Sequence, residues 1–313
     1  MGCGGALLAA MAETSSPTVC VLLATHDSSA WLEGQLQSVF DQEAVTVSLV
    51  VSDDCSRDAT PAVLKSWSLG KRMKVLPPAV EPFGNAHRNF MRLIVDAPID
   101  DAEYVALCDH DDVWLKDKLA RAITCLKETG AAGYSSNVTA FWSDGRERLI
   151  DKAQPQRKWD HLFSSPGPGC TFVLPSQVFL QLRSWLAAQI DSVRNFSVHD
   201  WLIYAYVRER GLSWHIDALP GMRYRQHAYN EIGANVGWQA ARRRVQYVRS
   251  GAYRRDVLML AGMVGHDGRV VHALRQLGLL DRFWLIVNVH RFRRHWRDQL
   301  ALAALFALMP ARR

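Results

Sequence analysis

The chain has 313 residues, of which 49% are hydrophobic and 22% are charged. These values predict a folded protein with a sizeable core, either one large α/β domain with an appendage or two modest domains, and they exclude a disordered chain. The net charge of +6 is uneven, because residues 241–313 carry fifteen Arg and no Lys against four Asp, a net +11, which leaves −5 for the preceding residues.

The two ends of the chain differ from the rest. Residues 1–16 contain a short apolar stretch without a basic region, which makes a poor signal peptide and is too short to span a bilayer. We therefore expect a disordered leader at 1–16, a main domain at 17–235 and a basic, amphipathic helical region at 236–313. The six cysteines form no C-x-x-C pair, which favours reduced thiols in a cytosolic protein.

The first 130 residues alternate between apolar runs rich in β-branched residues and amphipathic stretches. The runs predict buried parallel strands at 18–27, 45–54 and 103–109, with a weak strand at 74–78. The amphipathic stretches predict four helices. The first is capped by Ser28 or Ser29, and the second opens at Thr60-Pro61. The third begins at Asn85 or Asn89, and the fourth runs from Val113 to Gly130. This order predicts a mostly parallel sheet with helices on both faces.

Three of the predicted strands end in acidic residues, at His26-Asp27, Asp53-Asp54 and Asp109-His110-Asp111-Asp112. Ligands of parallel sheets bind beyond the carboxyl ends of the strands. The sequence therefore predicts one rim lined with carboxylates, which suits a cation and a polar ligand.

The run 109–112 has two interpretations. In extended backbone Asp109 and Asp111 point to the same side, so they could hold Mg²⁺ or Mn²⁺ together. The alternative is a solvated loop in which one Asp caps the next helix, and we assign that role to Asp112. No G-x-G-x-x-G follows the first strand and no P-loop motif occurs, which argues against a nicotinamide cofactor and a P-loop nucleotide site.

Beyond residue 131 the pattern changes to a strand-like stretch, a polar segment, a Gly/Pro-rich turn at 164–170 and two amphipathic helices. Asp200 lies in the first turn of the second helix, where it is either part of an N-terminal cap or a general base, with Trp201 forming a wall for a sugar. The loop at 223–227 ends in Arg225, Gln226 and His227. Its donors could offset diphosphate charge or complete a metal shell, or the loop could simply be solvated.

Taken in order, these segments resemble the family 2 glycosyltransferases with the GT-A fold, and most closely their bacterial rhamnosyltransferase-like members. The matching stretches, which span roughly residues 18–235, are ATHDSSAWLEGQLQSVFDQ, VVSDDCSRDAT, FGNAHRNF, LCDHDDVWLKDKL, GPGCTFVL, HDWLIYAYV and YRQHAYNEIGAN. The chain departs from the family where GPGC replaces a simpler GC and where His110 replaces a frequent Gln. Neither departure removes a carboxylate.

The resemblance implies an α/β fold of the GT-A type, a Rossmann-like, mostly parallel sheet flanked by helices, with a C-terminal helical extension. It also implies the site residues. The nucleotide and donor would contact Thr25, Asp27, Asp54, Arg88, Asn89 and Arg225. A divalent cation, Mg²⁺ or Mn²⁺, would be held by Asp109, Asp111 and His227, with Asp109 also facing the donor. Asp200 would be the catalytic base, and Gly169, Cys170 and Trp201 would shape the acceptor site.

The implied reaction is inverting transfer of a sugar from a nucleoside diphosphate, with dTDP-rhamnose favoured, to a glycan or lipid-linked acceptor of a surface polysaccharide. The alternatives are a non-catalytic nucleotide-sugar binder and a nucleotidyltransferase. We expect no nucleic-acid partner, because the main domain is acidic and has no recognition motif. We expect a cytoplasmic protein whose arginine-rich C-terminal helices either contact the cytoplasmic face of the membrane or are a solvated packing module.

Overall fold

The computed structural model describes residues 16–193, 196, 198–227, 246–247 and 250–309. The strands, β1 to β11 in chain order, are Thr18–Thr25, Thr46–Asp53, Met73–Val75, Tyr104–Cys108, Val113–Trp114, Gly133–Ser136, Val138–Phe141, Glu147–Ile150, Val173–Pro175, Trp214–Asp217 and Met222–Arg225. The helices, α1 to α11, are Leu32–Phe40, Thr60–Ser68, Ala86–Asp96, Lys118–Thr129, Ser176–Ala187, Ile190–Val193, His199–Glu209, Ala252–Val264, Arg269–Gln276, Leu279–Val287 and Trp296–Leu308. Short 3₁₀ helices lie at Asp160–Leu162, Gly169–Thr171 and Val289–Arg291. Except for residue 16, the expected leader lies outside the described residues, as does the expected boundary at 235/236.

The central sheet has seven strands in the order β10-β6-β9-β4-β1-β2-β3. The strands β4, β1, β2 and β3 are parallel, as the sequence predicts, whereas β9 runs antiparallel between β4 and β6. Thr25 of β1 pairs with Asp53 of β2, and Leu23 pairs with Cys108 of β4. Because the carboxyl ends are in register, the acidic residues that follow these strands reach the same rim. A second, four-stranded sheet has the order β5-β11-β7-β8.

Local sequence signals explain several helix ends. The side chain of Asn85 accepts a hydrogen bond from the backbone N–H of Arg88 at 2.9 Å, so α3 begins at the earlier of the two predicted caps. Helix α4 ends at Gly130, which has a φ of 63° and supplies the left-handed residue that terminates many helices.

Two predicted helix starts were wrong. Neither Ser28 nor Ser29 caps α1, because the helix begins only at Leu32 and no side chain accepts a hydrogen bond from its first backbone N–H groups. The two serines instead donate their backbone N–H groups to Thr60 and Asp58 of the loop after β2. Helix α4 begins at Lys118 rather than Val113, because residues 113–114 pair with β11 as strand β5. Asp112 is therefore not a helix cap.

The C-terminal helices α8 to α11 pack onto the main sheet domain. Their buried residues Val257, Leu260, Phe292 and Phe306 belong to the same hydrophobic cluster as Leu22 of the central strand β1. Burial of such side chains contributes roughly 1.5–3 kcal/mol each, which holds this region against the domain. In the part of the chain that the structure describes, no helix combines the length and apolar character needed to cross a membrane.

Candidate active site

A cavity of about 960 Å³ opens at the carboxyl ends of β1, β2 and β4. It gathers most of the residues that the sequence singled out, although they come from distant parts of the chain. The predicted site residues in its lining are Thr25, Asp27, Asp54, Asn89, Asp109, Asp111, Gly169, Asp200, Trp201 and His227. The predicted carboxylate-lined rim therefore forms part of one open cavity.

The carboxylate of Asp54 organises one end of this cavity. It is buried, and its two oxygens accept the backbone N–H groups of Phe83 and Gly84, the latter at 2.9 Å. Beside it, the Thr25 hydroxyl donates to Asp53 at 2.7 Å. These bonds fix the 83–84 loop against the ends of β1 and β2, so this wall is built before any ligand binds.

Asp27 is held in a turn that directly follows β1. Its backbone has a φ of 42°, in the left-handed region, and its N–H donates to the Ser56 hydroxyl at 2.9 Å. One carboxylate oxygen accepts the backbone N–H of Arg57 at 2.7 Å. The strained turn thus brings the side chain of Asp27 into the lining and connects it to the loop after β2.

Asp111 and His227 form the closest pair of potential metal ligands in the lining. Asp111 Oδ2 lies 2.7 Å from His227 Nε2, and both side chains are largely buried. The Trp31 ring stacks on the imidazole, with ring centroids 4.3 Å apart and planes 12° apart. The half-buried Asp109 lines the same space. This wall therefore offers two carboxylates and an imidazole that is fixed in orientation.

The third acid of the run, Asp112, has a different environment. Its side chain is fully buried, and Oδ1 accepts the backbone N–H of Arg225 at 3.0 Å. Burial, followed by the charges of Asp111 and Asp109, raises the pKa of the Asp112 carboxyl well above its ordinary value. Asp112 thus anchors the end of β11, two residues before His227, instead of starting a helix.

Asp200 lies in the first turn of α7 and lines the same cavity. One of its carboxylate oxygens accepts the backbone N–H of Trp201 at 2.6 Å. Burial raises the pKa of Asp200 to about 6, although the hydrogen bonds from Trp201 and Ser165 lower it. A carboxylate with this pKa can take up a proton near neutral pH, as a general base must.

Gly169 is required by the close approach of α7. A Cβ atom at this position would lie 2.4 Å from His199 Nε2 and 3.4 Å from Asp200 Cβ. His199 cannot easily move, because its ring stacks on the buried Phe90 with centroids 4.2 Å apart. The glycine of the GPGC turn therefore lets the turn pack directly beneath the start of α7 and sets the position of Asp200.

Trp201 also lies in the cavity wall, where its indole N–H donates to the backbone carbonyl of His161 at 2.8 Å. Three other predicted residues lie outside the lining. Arg88 is exposed on α3, Cys170 is fully buried, and Arg225 donates from Nε to the backbone carbonyl of Asp111 at 2.7 Å. Arg225 therefore contacts the segment of the metal-ligand candidates from behind.

Asn89 has contacts that the sequence did not indicate. Its amide donates to the backbone carbonyls of Ser52 and Thr25, at 2.9 and 3.3 Å. It therefore ties the ends of β1 and β2 together from the first turns of α3 while also lining the cavity.

Several lining residues were missed by the sequence interpretation. Trp31 was not singled out, although its place in the loop that follows the acidic strand end at Asp27 was an available signal. Lys152 and Ser165 lie in segments that read only as polar or turn-forming. Arg293 and Asp298 come from the C-terminal region, and no local signal could show that this region returns to the cavity.

Comparison with known proteins agrees with the geometry. The model of the family described as glycosyl transferase family 2 matches residues 20–178. The chain is 35% identical to dTDP-rhamnosyl transferase RfbG of Shigella flexneri over 287 residues, 91% of this chain and 99% of that protein. It is 31% identical to the succinoglycan biosynthesis protein ExoO of Rhizobium meliloti (strain 1021) over 145 residues, 45% of this chain and 39% of that one.

Solved structures share the fold at low sequence identity. S. aureus TarS 1-349 in complex with UDP-GlcNAc is 14% identical with a TM-score of 0.51, covering 93% of this chain and 84% of that one. The mannosyltransferase PcManGT from Pyrobaculum calidifontis, in complex with GDP-Man and Mn2+, is 14% identical with a TM-score of 0.50, covering 94% and 85%. The predicted GT-A fold is thereby confirmed. From its family match, its relatives and its fold, the chain belongs to glycosyl transferase family 2 and is a glycosyltransferase.

Proposed function

We propose that this enzyme transfers a sugar from a nucleoside diphosphate to a glycan or lipid-linked acceptor with inversion, and that it uses a divalent cation. One observation carries the proposal. A single cavity has Asp109, Asp111 and His227 in its lining together with Asp200, whose raised pKa suits a base. Direct displacement needs two kinds of group in one cavity. A base must take the proton of the acceptor hydroxyl, and other groups must compensate the negative charge of the leaving group.

The chemical types of these donors suit a hard divalent cation. Carboxylate oxygens suit Mg²⁺, and a set that includes an imidazole also suits Mn²⁺. We assign the cation to Asp109, Asp111 and His227. When bound there, it would offset the negative charge that develops on the departing nucleoside diphosphate. Cys170 is excluded from this set, because burial raises the pKa of its thiol well above the ordinary value and favours the protonated form.

Asp200 acts as the base in this proposal. Its carboxylate would accept the proton of the attacking acceptor hydroxyl, and Trp201 beside it would present an apolar surface to the acceptor sugar. Within the described residues no second carboxylate neighbours Asp200 along α7 until Glu209, which pairs with His161 and His266 instead. Helix α7 therefore supplies one base, and a single displacement with inversion needs only one.

For the donor we favour dTDP-rhamnose. The support is the similarity over almost the full length to a dTDP-rhamnosyl transferase. The solved structures with UDP-GlcNAc and GDP-Man show other donors on the same fold. Fold alone therefore does not select the sugar.

The decisive experiment compares a panel of dTDP, UDP and GDP sugars with Mg²⁺ or Mn²⁺, using the wild type and the variants Asp111→Asn and Asp200→Asn. We expect Asp111→Asn to weaken metal-dependent donor binding in calorimetry. Asp200→Asn is expected to retain donor binding and to lose transfer. The anomeric configuration of the product, read by NMR, is expected to be opposite to that of the donor. Full transfer by Asp200→Asn would contradict the assignment of the base.

The same experiment tests the two other functions considered. A non-catalytic binder would bind a nucleotide sugar and turn over none of the panel. A nucleotidyltransferase would form nucleotide sugar from a nucleoside triphosphate and a sugar 1-phosphate, and the assay includes this pair of substrates.

We also propose that the enzyme contacts the cytoplasmic face of the membrane through its C-terminal helices. Helix α10 exposes its apolar residues at helical spacing, and the first turns of the neighbouring α11 expose two more. We call these residues the C-terminal apolar surface: Leu279, Leu280, Phe283, Val287, Trp296 and Leu300. Leu279 and Leu280 are 87% and 82% exposed, which is costly in water.

Charge selects the occupant of this surface. The same segment exposes Arg275, Arg291 and Arg297, and each arginine near an anionic leaflet contributes about 1 kcal/mol of attraction. Apolar side chains beside arginine are typical of helices that lie in the plane of an anionic membrane. An acceptor anchored in lipid would then meet the cavity close to the bilayer, since Arg293 and Asp298 of this region line it.

Vesicle flotation tests this contact. We expect wild type to float with vesicles containing anionic phosphatidylglycerol at low salt, and to float less with neutral phosphatidylcholine or at high salt. The double variant Leu280→Asp/Phe283→Asp is expected to stay at the bottom of the gradient. Leu69→Asp is the matched control, because Leu69 is 76% exposed on the main domain. Wild type that fails to float with anionic vesicles, or that buries this surface in a dimer seen by ultracentrifugation, would contradict the proposal.

A further inference from the structure

The cavity wall near Asp200 contains a lysine for which the reaction described above gives no role. Lys152 follows β8, and its backbone N–H donates to the Asn137 side chain at 2.6 Å, which fixes the main chain. Its ammonium lines the cavity and has no hydrogen bond or ion pair within the described ranges. Burial lowers the pKa of Lys152, and the charges of Arg294 and Arg293 lower it further.

Arg293 is a second cation in the same lining. It lies just before α11, and its terminal nitrogen donates to the backbone carbonyl of Phe163 at 2.7 Å. Its Nε–H is buried and, among the residues that the structure describes, has no hydrogen-bond partner. Buried donors are almost always paired in proteins, so this one is open to an acceptor that a ligand would bring.

The neighbouring Arg294 has partners for its terminal nitrogens, although its Nε–H, like that of Arg293, has none among the described residues. It pairs with the fully buried Asp160 at 2.9 Å and donates to the carbonyl of Ser165 at 2.7 Å. Asp160 is also shared with Arg208, at 3.3 Å. This acid is therefore already committed and does not compensate Lys152 or Arg293.

The other acids facing these two cations are also accounted for. Asp298 is exposed and Asp200 is the assigned base, and both line the cavity without an ion pair to Lys152 or Arg293 within the described residues. Asp151 accepts hydrogen bonds from Asn137 and from the backbone of the same loop. Lys152 and Arg293 are both partly buried, and partly buried cations without a direct partner are stabilised when a ligand brings an anion.

We propose that Lys152 and Arg293 form a subsite that binds an anionic group of the acceptor, a phosphate or a carboxylate. This inference rests on the proposed function, because it places the acceptor beside Asp200. The subsite is distinct from the donor diphosphate site, which we assign to Asp109, Asp111 and His227. It requires both the segment after β8 and the C-terminal region, so it gives that region a part in acceptor recognition.

Binding of inorganic phosphate, measured by calorimetry in EDTA, tests the subsite without any metal-dependent donor binding. We expect saturable binding to wild type, and a weakening of about 10-fold or more in Lys152→Met and in Arg293→Met, since each removes a charged hydrogen-bond donor. Lys152→Arg is expected to retain binding, which controls for misfolding. Lys158→Met is the matched control, because Lys158 is an exposed lysine of the same loop outside the lining.

Two further arms complete the experiment. Asp111→Asn is expected to bind phosphate like wild type while losing metal-dependent donor binding, so failure of the subsite and failure of the proposed function are distinguishable. Methyl phosphate and glucuronate separate the two sources of charge: tighter binding of the first assigns a phosphate-bearing acceptor, and tighter binding of the second assigns an acidic sugar. Absence of anion binding to wild type, or binding that is equal in Lys152→Met and Lys158→Met, overturns the proposal.

Discussion

Substituting Gly169 by alanine tests how the fold positions the base. The added Cβ would lie 2.4 Å from His199 Nε2, a separation that real Cβ atoms do not adopt, so the turn or the start of α7 must move. The obstacle is a ring stacked on the buried Phe90 and not the mobile end of a flexible side chain. We therefore expect the displacement to reach Asp200, which is the next residue along the helix.

The expected magnitudes follow from this geometry. Overpacking of a rigid site costs about 1–3 kcal/mol of unfolding free energy. A shift of a catalytic group by about 1 Å can lower the rate by about 100-fold. Donor binding is expected to stay near the wild-type value, because Asp111 and His227 are held by other elements.

Gly167→Ala is the matched control. A Cβ at position 167 would meet its nearest neighbour, the backbone oxygen of Ser136, at 3.4 Å, which is close to ordinary contact. The assay measures turnover and donor affinity by calorimetry, together with urea unfolding, for both variants. If Gly169→Ala matched Gly167→Ala in turnover and stability, the claim that this glycine sets the position of Asp200 would be refuted.

Three other predictions address the base, the metal-ligand wall and the C-terminal attachment. Because the pKa of Asp200 is raised to about 6, kcat is expected to fall as the pH drops through 6, where the base becomes protonated, and to level off above it. A kcat that does not change between pH 5 and 7 would argue against Asp200 as the base. Trp31→Ala removes the ring that stacks on His227, an interaction worth roughly 0.5–1.5 kcal/mol. The metal concentration needed for half-maximal rate is therefore expected to rise about 2- to 10-fold. Trp31→Phe keeps an aromatic ring and is expected to stay close to wild type. Burial alone would raise the pKa of the Glu209 carboxyl, but hydrogen bonds from His161 and His266 prevail and hold it below the ordinary value. Glu209→Gln is therefore expected to lower the free energy of unfolding by about 1–3 kcal/mol at neutral pH. In urea unfolding, this difference from wild type is expected to shrink as the pH falls through the pKa of Glu209.

The sequence predicted those features that depend on local patterns. Apolar runs identified β1, β2 and β4, and the acids that follow them share a rim because parallel strands in register end at the same edge. Asn85 begins α3 because its side chain can cap the first turn, and Gly130 ends α4 because it lacks a side chain and can adopt the left-handed conformation. These signals act over a few residues, so a single sequence contains them.

Features that depend on distant partners were not predictable in this way. Residues 113–114 are a strand only because β11 returns beside them more than a hundred positions later. Arg293 reaches the cavity because Phe292 and Phe306 pack into the shared core, a match of shapes with no signature in the sequence. The glycine at 169 was visible as a turn residue, but its reason, contact with His199, became clear only in three dimensions.

The three acids at 109–112 lie close together in the sequence, but the fold gives each of them a different environment. Asp111 has His227 at 2.7 Å, and Asp109 stays half-buried at the cavity. Asp112 is fully buried, and burial raises the pKa of its carboxyl and so favours the neutral form. The repulsion among the three is therefore reduced before any cation binds, and the negative charge that remains faces the cavity beside an imidazole. Like charges this close in sequence can be tolerated here because one of the three carboxyl groups is favoured in its neutral form and another is paired with an imidazole.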